Sequence, residues 1–387
     1  MKVLHILSSI NPEKGGVSKA VSDIIRGLEL SKFDCFNEVV TLDDPNDFFI
    51  HNYSFKIYPL GDKITSWGYS RRLLPWLLEY SKNYNVIILH GLWQYQSYAI
   101  IQLLKKNRQL VYYIMPHGML DPYFQKAEGR KLKAIRNFVV WKLLERIVVI
   151  KAEGLLFTCV EEKILASKIF ADYNPKSEHV IGLGIEAAPI FVNSMTEAIS
   201  NKIPDWNGKP FWLFLGRIHP KKGVDILVDS FLKLEEQGMI LPQLVIAGPG
   251  AQTAYGQKII SQAKLSKNIF FTGMLSGDQK WGALYNAKWF ILPSHQENFG
   301  IAVVEALACK TPVAISNQVN IWREIDAGKG GVVFEDTNDG VTQGLELISG
   351  FSEPDLVNFR ENAVTLFTKS FTVSEAANKL IQILKLS

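Results

Sequence analysis

Short apolar runs alternate with amphipathic helical segments along almost the whole chain. In the first half the candidate strands are KVLHILSSI, NEVVTL, SFKIYPL, NVIILHG, LVYYIMPHG, GLLFTCV and HVIGLGI, and the helices between them include VSKAVSDIIRGLEL, SRRLLPWLLEYSK and QSYAIIQLLKKN. Strands that alternate with helices predict parallel sheets covered by helices on both faces. The sequence therefore predicts an α/β protein.

The alternation restarts after a polar stretch rich in turn formers, SNKIPDWNGKP, at residues 200–210. The strands that follow are FWLFLGR, LVIAG, IFFTG, WFILPS, PVAIS and GVVF. A chain of 387 residues is also long for one hydrophobic core. We therefore predict two doubly wound, Rossmann-like domains, 1–200 and 205–368, and a final amphipathic helix at 369–387. A ligand would bind at the carboxyl ends of the strands, in a cleft where the domains face each other.

The composition narrows the class of protein. The chain is 47% hydrophobic and 21% charged, which is typical of a globular protein, and no apolar run is long enough to cross a bilayer. The first residues, MKVLHILSSI, are typical of a β-strand and not of a signal peptide. Cys35, Cys159 and Cys309 lie far apart, with no metal-ligand or redox spacing. A cytoplasmic location is expected, and no nucleic-acid partner is expected.

One segment, 126–151, is strongly basic. It has eight basic and two acidic residues, a local charge of +6 in a chain whose formal net charge is +4. Leu132, Ile135, Phe138 and Val139 repeat in it at helical spacing. Two interpretations stay open. The segment is either a basic helix that contacts an anionic membrane surface, or an ordinary surface helix with one buried face.

Glycines precede the first helix. Gly15 and Gly16 follow the loop of the first strand, where a glycine pair lets the backbone approach a ligand and a helix N-terminus offers N–H groups to an anion. A tight turn without a ligand is the alternative. No complete G-x-G-x-x-G opens a helix, and no P-loop is present. These absences argue against a nicotinamide-dependent oxidoreductase or a nucleoside triphosphatase.

The stretch FLGRIHPKKG, residues 214–223, ends a buried-type strand with cations. Arg217 suits bidentate phosphate recognition, and Lys222 adds a point charge. Two cations at the end of a strand can hold a diphosphate without a metal, and the chain has no D-x-D motif that would carry a divalent ion. The alternative is that they are solvated loop charges.

The stretch HQENFGIAVVEAL contains two carboxylates, Glu297 and Glu305. A helix is predicted to begin near Phe299 or Gly300, so its free N–H groups would lie between the two acids. The pattern indicates a sugar at Glu297, phosphates at the helix N-terminus and a ribose at Glu305. Glycosidase carboxylates, by contrast, flank one bond and usually come from different elements. A capping acid plus a surface acid remains the structural alternative.

Together these motifs resemble the retaining glycosyltransferases of family four, which have the two-domain GT-B fold. The resemblance spans essentially the whole chain, and it rests on the Gly15–Gly16 loop, PHGMLDP, GLLFTCVEEK, FLGRIHPKKGVDILVDSF, LVIAGPG, FFTG and LPSHQENFGIAVVEALACKTPV. It implies that the final helix crosses back onto the first domain. It also implies a donor-binding set of Gly15, Gly16, Arg217, Lys222, Gly248, Met274, Leu275, Glu297, Asn298, Phe299, Gly300, Ile301 and Glu305.

The resemblance also implies roles. Arg217 and Lys222 would bind the donor diphosphate, Glu305 the ribose and Glu297 the hydroxyls of the donor sugar, and His117 would lie near the transferred sugar. His117, Glu297, Arg217 and Lys222 are thus the expected catalytic residues, with no metal and no cofactor beyond the nucleoside-diphosphate sugar, which is expected to be UDP-linked.

The implied reaction transfers a hexose, with glucose from UDP-glucose as the first candidate. The acceptor would be a saccharide or lipid-linked saccharide of bacterial polysaccharide synthesis, and the configuration would be retained. The membrane interpretation of 126–151 would place the enzyme at the inner face of the plasma membrane. A GT-B-like UDP-sugar epimerase and a non-catalytic sugar-nucleotide-binding subunit remain the alternatives.

Overall fold

A computed structural model describes residues 1–123, 131–203, 206 and 208–386. The chain divides into two compact units. Unit 1 is Met1–Gly184 together with Val373–Ser387, and unit 2 is Ile185–Thr372. Each unit is built around one parallel β-sheet with helices between its strands.

Within the described residues, unit 1 holds seven parallel strands in the order β3-β2-β1-β4-β5-β6-β7. The strands are β1 Lys2–Ile6, β2 Phe36–Thr41, β3 Lys56–Pro59, β4 Val86–His90, β5 Tyr112–Met115, β6 Gly154–Phe157 and β7 Glu178–Val180. The helices are α1 Gly16–Leu30, α2 Leu73–Tyr80, α3 Tyr95–Lys106, α4 Lys131–Val140, α5 Arg146–Lys151, α6 Val160–Ala166 and, at the end of the chain, α15 Val373–Leu384.

The order of the strands reverses at β1, which pairs with β2 on one side and with β4 on the other. The central strands β4 and β5 are buried along their whole length, because both faces of a parallel sheet are covered by helices. A reversal of strand order opens a crevice at the carboxyl ends of the strands. In unit 1 this crevice lies between β1 and β4.

The basic segment is helical where the structure describes it. Helix α4, a π-helical turn at Trp141–Glu145 and helix α5 follow one another directly. Their buried face is carried by Trp141, Glu145, Val148 and Val149. Residues 124–130 of the predicted segment lie outside the described residues. None of the described helices is both long enough and apolar enough to span a membrane.

The apolar periodicity read from this segment does not mark its buried face. Ile135, Phe138 and Val139 are all exposed, and so are Leu143 and Ile147 further along. They form an exposed apolar stripe, at helical spacing, beside the face that packs on the core. The segment is thus a helix with one buried face, as one of the two interpretations holds, but Ile135, Phe138 and Val139 are not part of that face.

The described part of unit 2 holds six parallel strands in the order β10-β9-β8-β11-β12-β13. The strands are β8 Phe211–Leu215, β9 Leu244–Ala247, β10 Ile269–Gly273, β11 Ala287–Leu292, β12 Val313–Ser316 and β13 Gly331–Phe334. The helices are α7 Asn193–Ser200, α8 Val224–Glu236, α9 Ala254–Ala263, α10 Gly277–Asn286, α11 Ile301–Ala308, α12 Trp322–Gly328, α13 Asn338–Gly350 and α14 Glu353–Ser370. Here the strand order reverses at β8, whose neighbours are β9 and β11.

Unit 2 begins at Ile185, earlier than the predicted start near residue 205. The reason is helix α7, which packs against α10 of the same unit. At Gly282 of α10 a Cβ atom would overlap the backbone carbonyl of Met195, so the two helices approach more closely than any other residue would allow. The polar stretch at 200–210 therefore follows an element that already belongs to unit 2.

The last helix, α15, belongs to unit 1 and packs against α1. Gly27 makes this approach possible, because a Cβ atom there would overlap the carbonyl oxygen of Val373. The chain thus completes unit 2 with α14 and ends on the first helix of unit 1.

Candidate functional site

The main cluster of predicted site residues lies where the strand order of unit 2 reverses. Strands β8 and β11 are hydrogen-bonded neighbours although they are far apart in the sequence. The loop after β8 carries Arg217 and Lys222, and the loop after β11 carries Glu297. The topology thus brings the two predicted cations and the first predicted carboxylate to one edge of the sheet, where α/β proteins bind ligands.

Several hydrogen bonds tie the two loops together. The backbone N–H of His295 and the hydroxyl of Ser294 both donate to the carbonyl oxygen of Lys221, at 2.9 and 2.8 Å. The ammonium group of Lys221 donates to Oε1 of Gln296 at 2.5 Å. Lys221, the residue next to Lys222, therefore fixes the loop after β8 against the loop after β11.

Lys222 and Glu297 form an ion pair across this junction, and both side chains are largely buried. Burial, and then the charges of Arg217 and Lys221, lower the pKa of Lys222 to about 8. The Glu297 carboxylate opposes this effect, because it favours the charged lysine. A phosphate that arrives at this edge would meet a buried ammonium group whose present partner can be exchanged.

The backbone of Glu297 is fixed independently of its side chain. Its N–H donates to the carbonyl oxygen of Gln318 at 3.0 Å, and its own carbonyl accepts from the N–H of Asn320 at 2.9 Å. The loop after β12 therefore fixes the backbone of Glu297 through two hydrogen bonds.

Helix α11 begins at Ile301, one residue after the later of the two predicted starts. Gly300 is the N-cap residue and has φ +77°, a left-handed conformation that favours glycine. Phe299 is buried and packs edge-on against Phe371, at 5.7 Å between ring centroids. Asn298 is half-buried on the same loop. The N–H groups of Ile301 and Ala302, which have no partner within the helix, lie four and five residues after Glu297 in the sequence.

Glu305 lies in the second turn of α11 and is paired with Lys280 of α10, at 2.9 Å between Nζ and Oε1. The ammonium group of Lys280 also lies 4.0 Å from the centroid of the Trp281 ring. Both predicted carboxylates are thus paired with lysines, and sequence reasoning missed Lys280. No local signal marks Lys280, because helical periodicity does not show which face of a helix meets a neighbouring helix.

Loops after β9 and β10 complete this edge. Gly248 has φ +142°, and a Cβ atom there would overlap the carbonyl oxygen of Gly216, so the loops after β8 and β9 touch through backbone atoms. Beyond β10, Met274 is exposed and Leu275 is buried. Within the described residues, no group of three or more histidine, cysteine and acidic side chains is placed to hold a metal ion.

The remaining predicted residues lie in unit 1. Gly15 is the N-cap of α1 with φ +92°, and Gly16 is the first residue of that helix. A Cβ atom would meet nothing within 4 Å at either position, so the space beside them is open. The glycine pair therefore serves no close packing, which leaves room for a ligand at the N-terminus of α1.

His117 follows β5 and has φ +52°, which is uncommon for a residue with a side chain. The next residue holds this conformation, because the N–H of Gly118 donates to Oε1 of the buried Glu162 at 2.5 Å. Glu162 also accepts from the N–H of Thr158, at 2.7 Å. Glu162 lies in one of the motifs that carry the resemblance, GLLFTCVEEK, but nothing in the sequence predicts that its carboxylate fixes the loop of His117.

The ring of His117 is hydrogen-bonded to a second histidine. Its Nε2 lies 2.9 Å from Nδ1 of His90, and His90 in turn contacts His5. Burial lowers the pKa of His117 to about 4. Sequence reasoning missed His5 and His90. The signal available was one histidine in each of three candidate strands, KVLHILSSI, NVIILHG and LVYYIMPHG, although only the structure shows that these strands are neighbours.

A pocket of about 540 Å³ lies in unit 1 beside the loops after β4 and β5. Its lining includes Trp67, Trp93, Met119 and Arg136. Trp93 has φ +67°, and its N–H donates to Oε1 of the buried Glu145 at 2.7 Å. Burial raises the pKa of Glu145 to about 7. The pocket offers aromatic faces, polar groups and one cation.

Comparisons with known proteins find similarity to glycosyltransferases. Residues 195–348 match the family model described as glycosyl transferases group 1, and the match lies wholly in unit 2. A probable sucrose-phosphate synthase of Thermosipho melanesiensis is 32% identical over 120 residues, which cover 30% of this chain and 28% of that protein. A GDP-mannose:cellobiosyl-diphosphopolyprenol alpha-mannosyltransferase of Xanthomonas oryzae is 24% identical, over 92% of this chain and 89% of that protein.

Solved structures resemble the chain over its whole length. Sucrose-phosphate synthase from Thermosynechococcus elongatus has a TM-score of 0.75 at 18% identity and covers 100% of this chain and 98% of its own. HepE of Anabaena in complex with UDP has a TM-score of 0.73 at 14% identity, with 100% of both chains covered. These likenesses concern the fold, and the predicted class of two doubly wound, parallel-sheet domains is confirmed as that of GT-B glycosyltransferases. The chain spans 28 to 53% of the length of the first three curated relatives that it matches.

Proposed function

We propose that this chain is a retaining glycosyltransferase that transfers a hexose from a nucleoside-diphosphate sugar to a saccharide or lipid-linked saccharide. The observation that carries the proposal is the junction of β8 and β11, where Lys222 pairs with Glu297 beside Arg217 and the N-terminus of α11. This junction lies inside the region that matches group 1 glycosyltransferases. The first candidate donor is UDP-glucose, and the complex of the structural neighbour HepE with UDP supports a uridine nucleotide.

The proposed reaction begins with cleavage of the bond between the sugar and the diphosphate. Charge then grows on the leaving phosphate, and Arg217, Lys222 and the first N–H groups of α11 stabilise it. Each charge-assisted hydrogen bond contributes about 1.5–3 kcal/mol. The acceptor hydroxyl attacks from the face that the diphosphate leaves, and the leaving phosphate takes its proton. This sequence retains the configuration at the sugar and uses no carboxylate nucleophile.

The ion pair between Lys222 and Glu297 suggests how the carboxylate of Glu297 becomes available to the hydroxyls of the donor sugar. Before the donor binds, Lys222 is neutralised by Glu297. A diphosphate offers more negative charge than one carboxylate, so Lys222 would turn to it and release Glu297 for the hydroxyls of the sugar. Glu305 would accept from the ribose hydroxyls while it keeps its bond to Lys280. Each carboxylate then holds a hydroxylated part of the donor, and the lysine between them holds the charge.

The pocket of unit 1 is the proposed acceptor site. Trp67 and Trp93 offer flat apolar faces for sugar rings, and Arg136 offers a cation for a phosphate that links a saccharide to a lipid. A relative with 89% of its length covered is named for a diphosphopolyprenol-linked acceptor, which supports this class of acceptor.

Contact with an anionic membrane is proposed for the exposed apolar stripe of α4, the π-helical turn and α5. Phe138 and Leu143 on this stripe are 53% and 72% exposed. The exposed cations Arg136, Lys142 and Lys151 lie on the same helical segment, although Asp172 partly neutralises Lys142 at 2.6 Å. Apolar side chains flanked by cations suit the headgroup region of an anionic bilayer.

The double variant Phe138→Ser/Leu143→Ser is expected to bind vesicles that contain phosphatidylglycerol at least about tenfold more weakly than the wild type, because two inserted side chains are lost. Cosedimentation measures the binding. Ile240→Ser/Leu265→Ser is the matched control, because its apolar side chains are 98% and 79% exposed but lie in unit 2. No binding of the wild type to anionic vesicles at low salt would remove the membrane from the proposal, and equal binding to neutral and anionic vesicles would remove the role of the cations.

Donor screening tests the function as a whole. UDP-, GDP- and ADP-sugars are each incubated with the protein, and hydrolysis or transfer is followed by release of the nucleotide. We expect turnover with one nucleotide class, UDP first, and the same rate in excess EDTA, because Arg217 and Lys222 take the place of a divalent ion. Turnover that vanishes in EDTA and returns with magnesium contradicts the metal independence. An epimerised sugar nucleotide formed without any acceptor contradicts the transferase assignment.

A further inference from the structure

Three histidines from three neighbouring strands form a hydrogen-bonded chain inside unit 1. His5 lies on β1, His90 ends β4, and His117 follows β5. Nδ1 of His5 lies 3.0 Å from Nε2 of His90, and Nδ1 of His90 lies 2.9 Å from Nε2 of His117. Consecutive rings are stacked, with centroids 5.2 Å apart in both pairs. The chain continues from His5 to Asn37 of β2, whose Oδ1 lies 3.2 Å from Nε2 of His5.

Asn37 determines the direction in which these hydrogen bonds run. Its Nδ2 donates to the carbonyl oxygen of Cys35, at 3.4 Å. A carbonyl oxygen can only accept, so the amino group of Asn37 must face Cys35 and its Oδ1 must face His5. An amide oxygen also only accepts. Nε2 of His5 therefore carries the proton.

The proton positions on the other rings follow from this one. A neutral imidazole has one N–H and one acceptor nitrogen. Because His5 donates through Nε2, its Nδ1 accepts from Nε2–H of His90, and Nδ1 of His90 accepts from Nε2–H of His117. The proton of His117 is then on Nε2, and its Nδ1 has a lone pair.

Burial keeps the rings of the three histidines neutral. His5 and His90 are almost fully buried. Burial lowers the pKa of His5 to about 4 and that of His90 well below its ordinary value. A protonated ring in the middle would have no acceptor nitrogen and would break the chain. The hydrogen-bond direction and the burial therefore favour the same neutral tautomer on every ring.

We propose that Asn37, His5 and His90 are positioning residues that hold His117 as its Nε2–H tautomer, so that Nδ1 of His117 accepts a hydrogen bond from a hydroxyl of the transferred sugar. This inference rests on the proposed function. It restricts the ligand of His117 to a group that has a proton to donate. A sugar hydroxyl meets this requirement, and the oxygen of a phosphate or carboxylate anion does not.

The backbone around His117 supports this role. The positive φ of His117 and the bond from Gly118 to Glu162 fix the loop on one side of the ring, and His90 fixes its Nε2 on the other. The ring can therefore neither rotate to exchange its nitrogens nor leave the site without breaking the chain. A histidine free in solution interconverts between both tautomers, so it does not discriminate between ligands that donate a hydrogen bond and ligands that only accept one.

Long-range ¹H–¹⁵N correlation spectra of ¹⁵N-histidine protein test the tautomers directly and without any substrate. We expect His5, His90 and His117 in the Nε2–H form between about pH 6 and pH 8. His51→Gln serves as the control, because His51 is exposed and lies in a separate helical turn at Phe48–Asn52, so the other signals should not change. An Nδ1–H form of His117, or a mixture of both forms, in the wild-type protein would overturn the proposal.

Fluorinated donors test the consequence for specificity. Fluorine in place of a hydroxyl can accept a hydrogen bond but cannot donate one. With the donor that screening selects, we expect the analogue in which fluorine replaces the hydroxyl that donates to His117 to lose roughly fivefold or more in kcat/KM relative to the parent donor. In His90→Phe this discrimination should shrink, while the His117 signals become those of a mixture, and His51→Gln should keep it.

The outcomes separate the two proposals. Unchanged discrimination in a folded His90→Phe protein overturns the positioning role while leaving the transferase proposal intact. A protein that turns over no donor overturns the proposed function, whereas the wild-type tautomer spectrum still decides the direction of the histidine chain. If His90→Phe does not fold, Asn37→Leu removes the terminal acceptor at a half-buried position, and the same loss of a single tautomer at His117 is expected.

Discussion

Lys222→Ala is expected to lower kcat/KM for the sugar-nucleotide donor by about 100-fold or more, and Arg217→Ala by a similar factor. Both cations face charge that grows on the leaving diphosphate, so their loss raises the barrier more than it weakens binding in the ground state. Glu305→Gln should lower kcat/KM only about tenfold, because Glu305 would hold the ribose hydroxyls to the same extent before and during the reaction. Initial rates over a range of donor concentrations measure all three.

The control for charge is Lys267→Ala, which removes an exposed lysine of unit 2 and should leave kcat/KM unchanged. Lys222→Ala also leaves Glu297 without its partner, so its thermal stability must be compared with that of the wild type before the kinetics are interpreted. If Glu305→Gln proves the worst of the three variants, the division between diphosphate and ribose contacts is incorrect.

Gly223→Ala is expected to abolish donor binding, with a loss of at least about 3 kcal/mol in stability, in binding or shared between them. Gly223 has φ +64°, and a Cβ atom there would overlap the carbonyl oxygen of Pro293. The added methyl group must push the loop after β8 away from the loop after β11. That movement separates Lys222 from Glu297, so the variant disrupts the site without removing any of its charged groups.

Gly238→Ala is the matched control for the strain of a positive φ. Its φ is +84°, but a Cβ atom there would meet nothing within 4 Å. It should lose only about 1–2 kcal/mol of stability and keep its affinity for UDP. Isothermal titration with UDP and chemical unfolding separate the two effects. Equal behaviour of the two variants would mean that backbone strain matters and that the contact between the loops does not.

Much of the fold could be predicted because the relevant signals are local. Each candidate strand predicted from the sequence overlaps a strand of the structure, from β1 to β13. A run of buried-type residues between amphipathic helices can satisfy its backbone and its apolar side chains only within a covered parallel sheet. The left-handed N-cap at Gly300 is local in the same way, because few residues other than glycine adopt that conformation easily.

Local signals do not say which face of a helix is buried. In the basic segment, Ile135 and Phe138 repeat at helical spacing as regularly as Trp141 and Val148 do. Only the second set packs on the core of unit 1. Periodicity thus predicts that a helix has an apolar face. The position of the neighbouring elements decides whether that apolar face is buried.

The sequence by itself determined the two sheets and the types of residue at their carboxyl ends, because strand-forming runs and loop glycines act over a few residues. Only the tertiary structure paired Glu297 with Lys222 and Glu305 with Lys280. It also joined His5, His90 and His117 into one chain. Those contacts depend on which strands and helices become neighbours, and side chains far apart in the sequence affect each other's charge and proton position only when the fold brings them within hydrogen-bond distance.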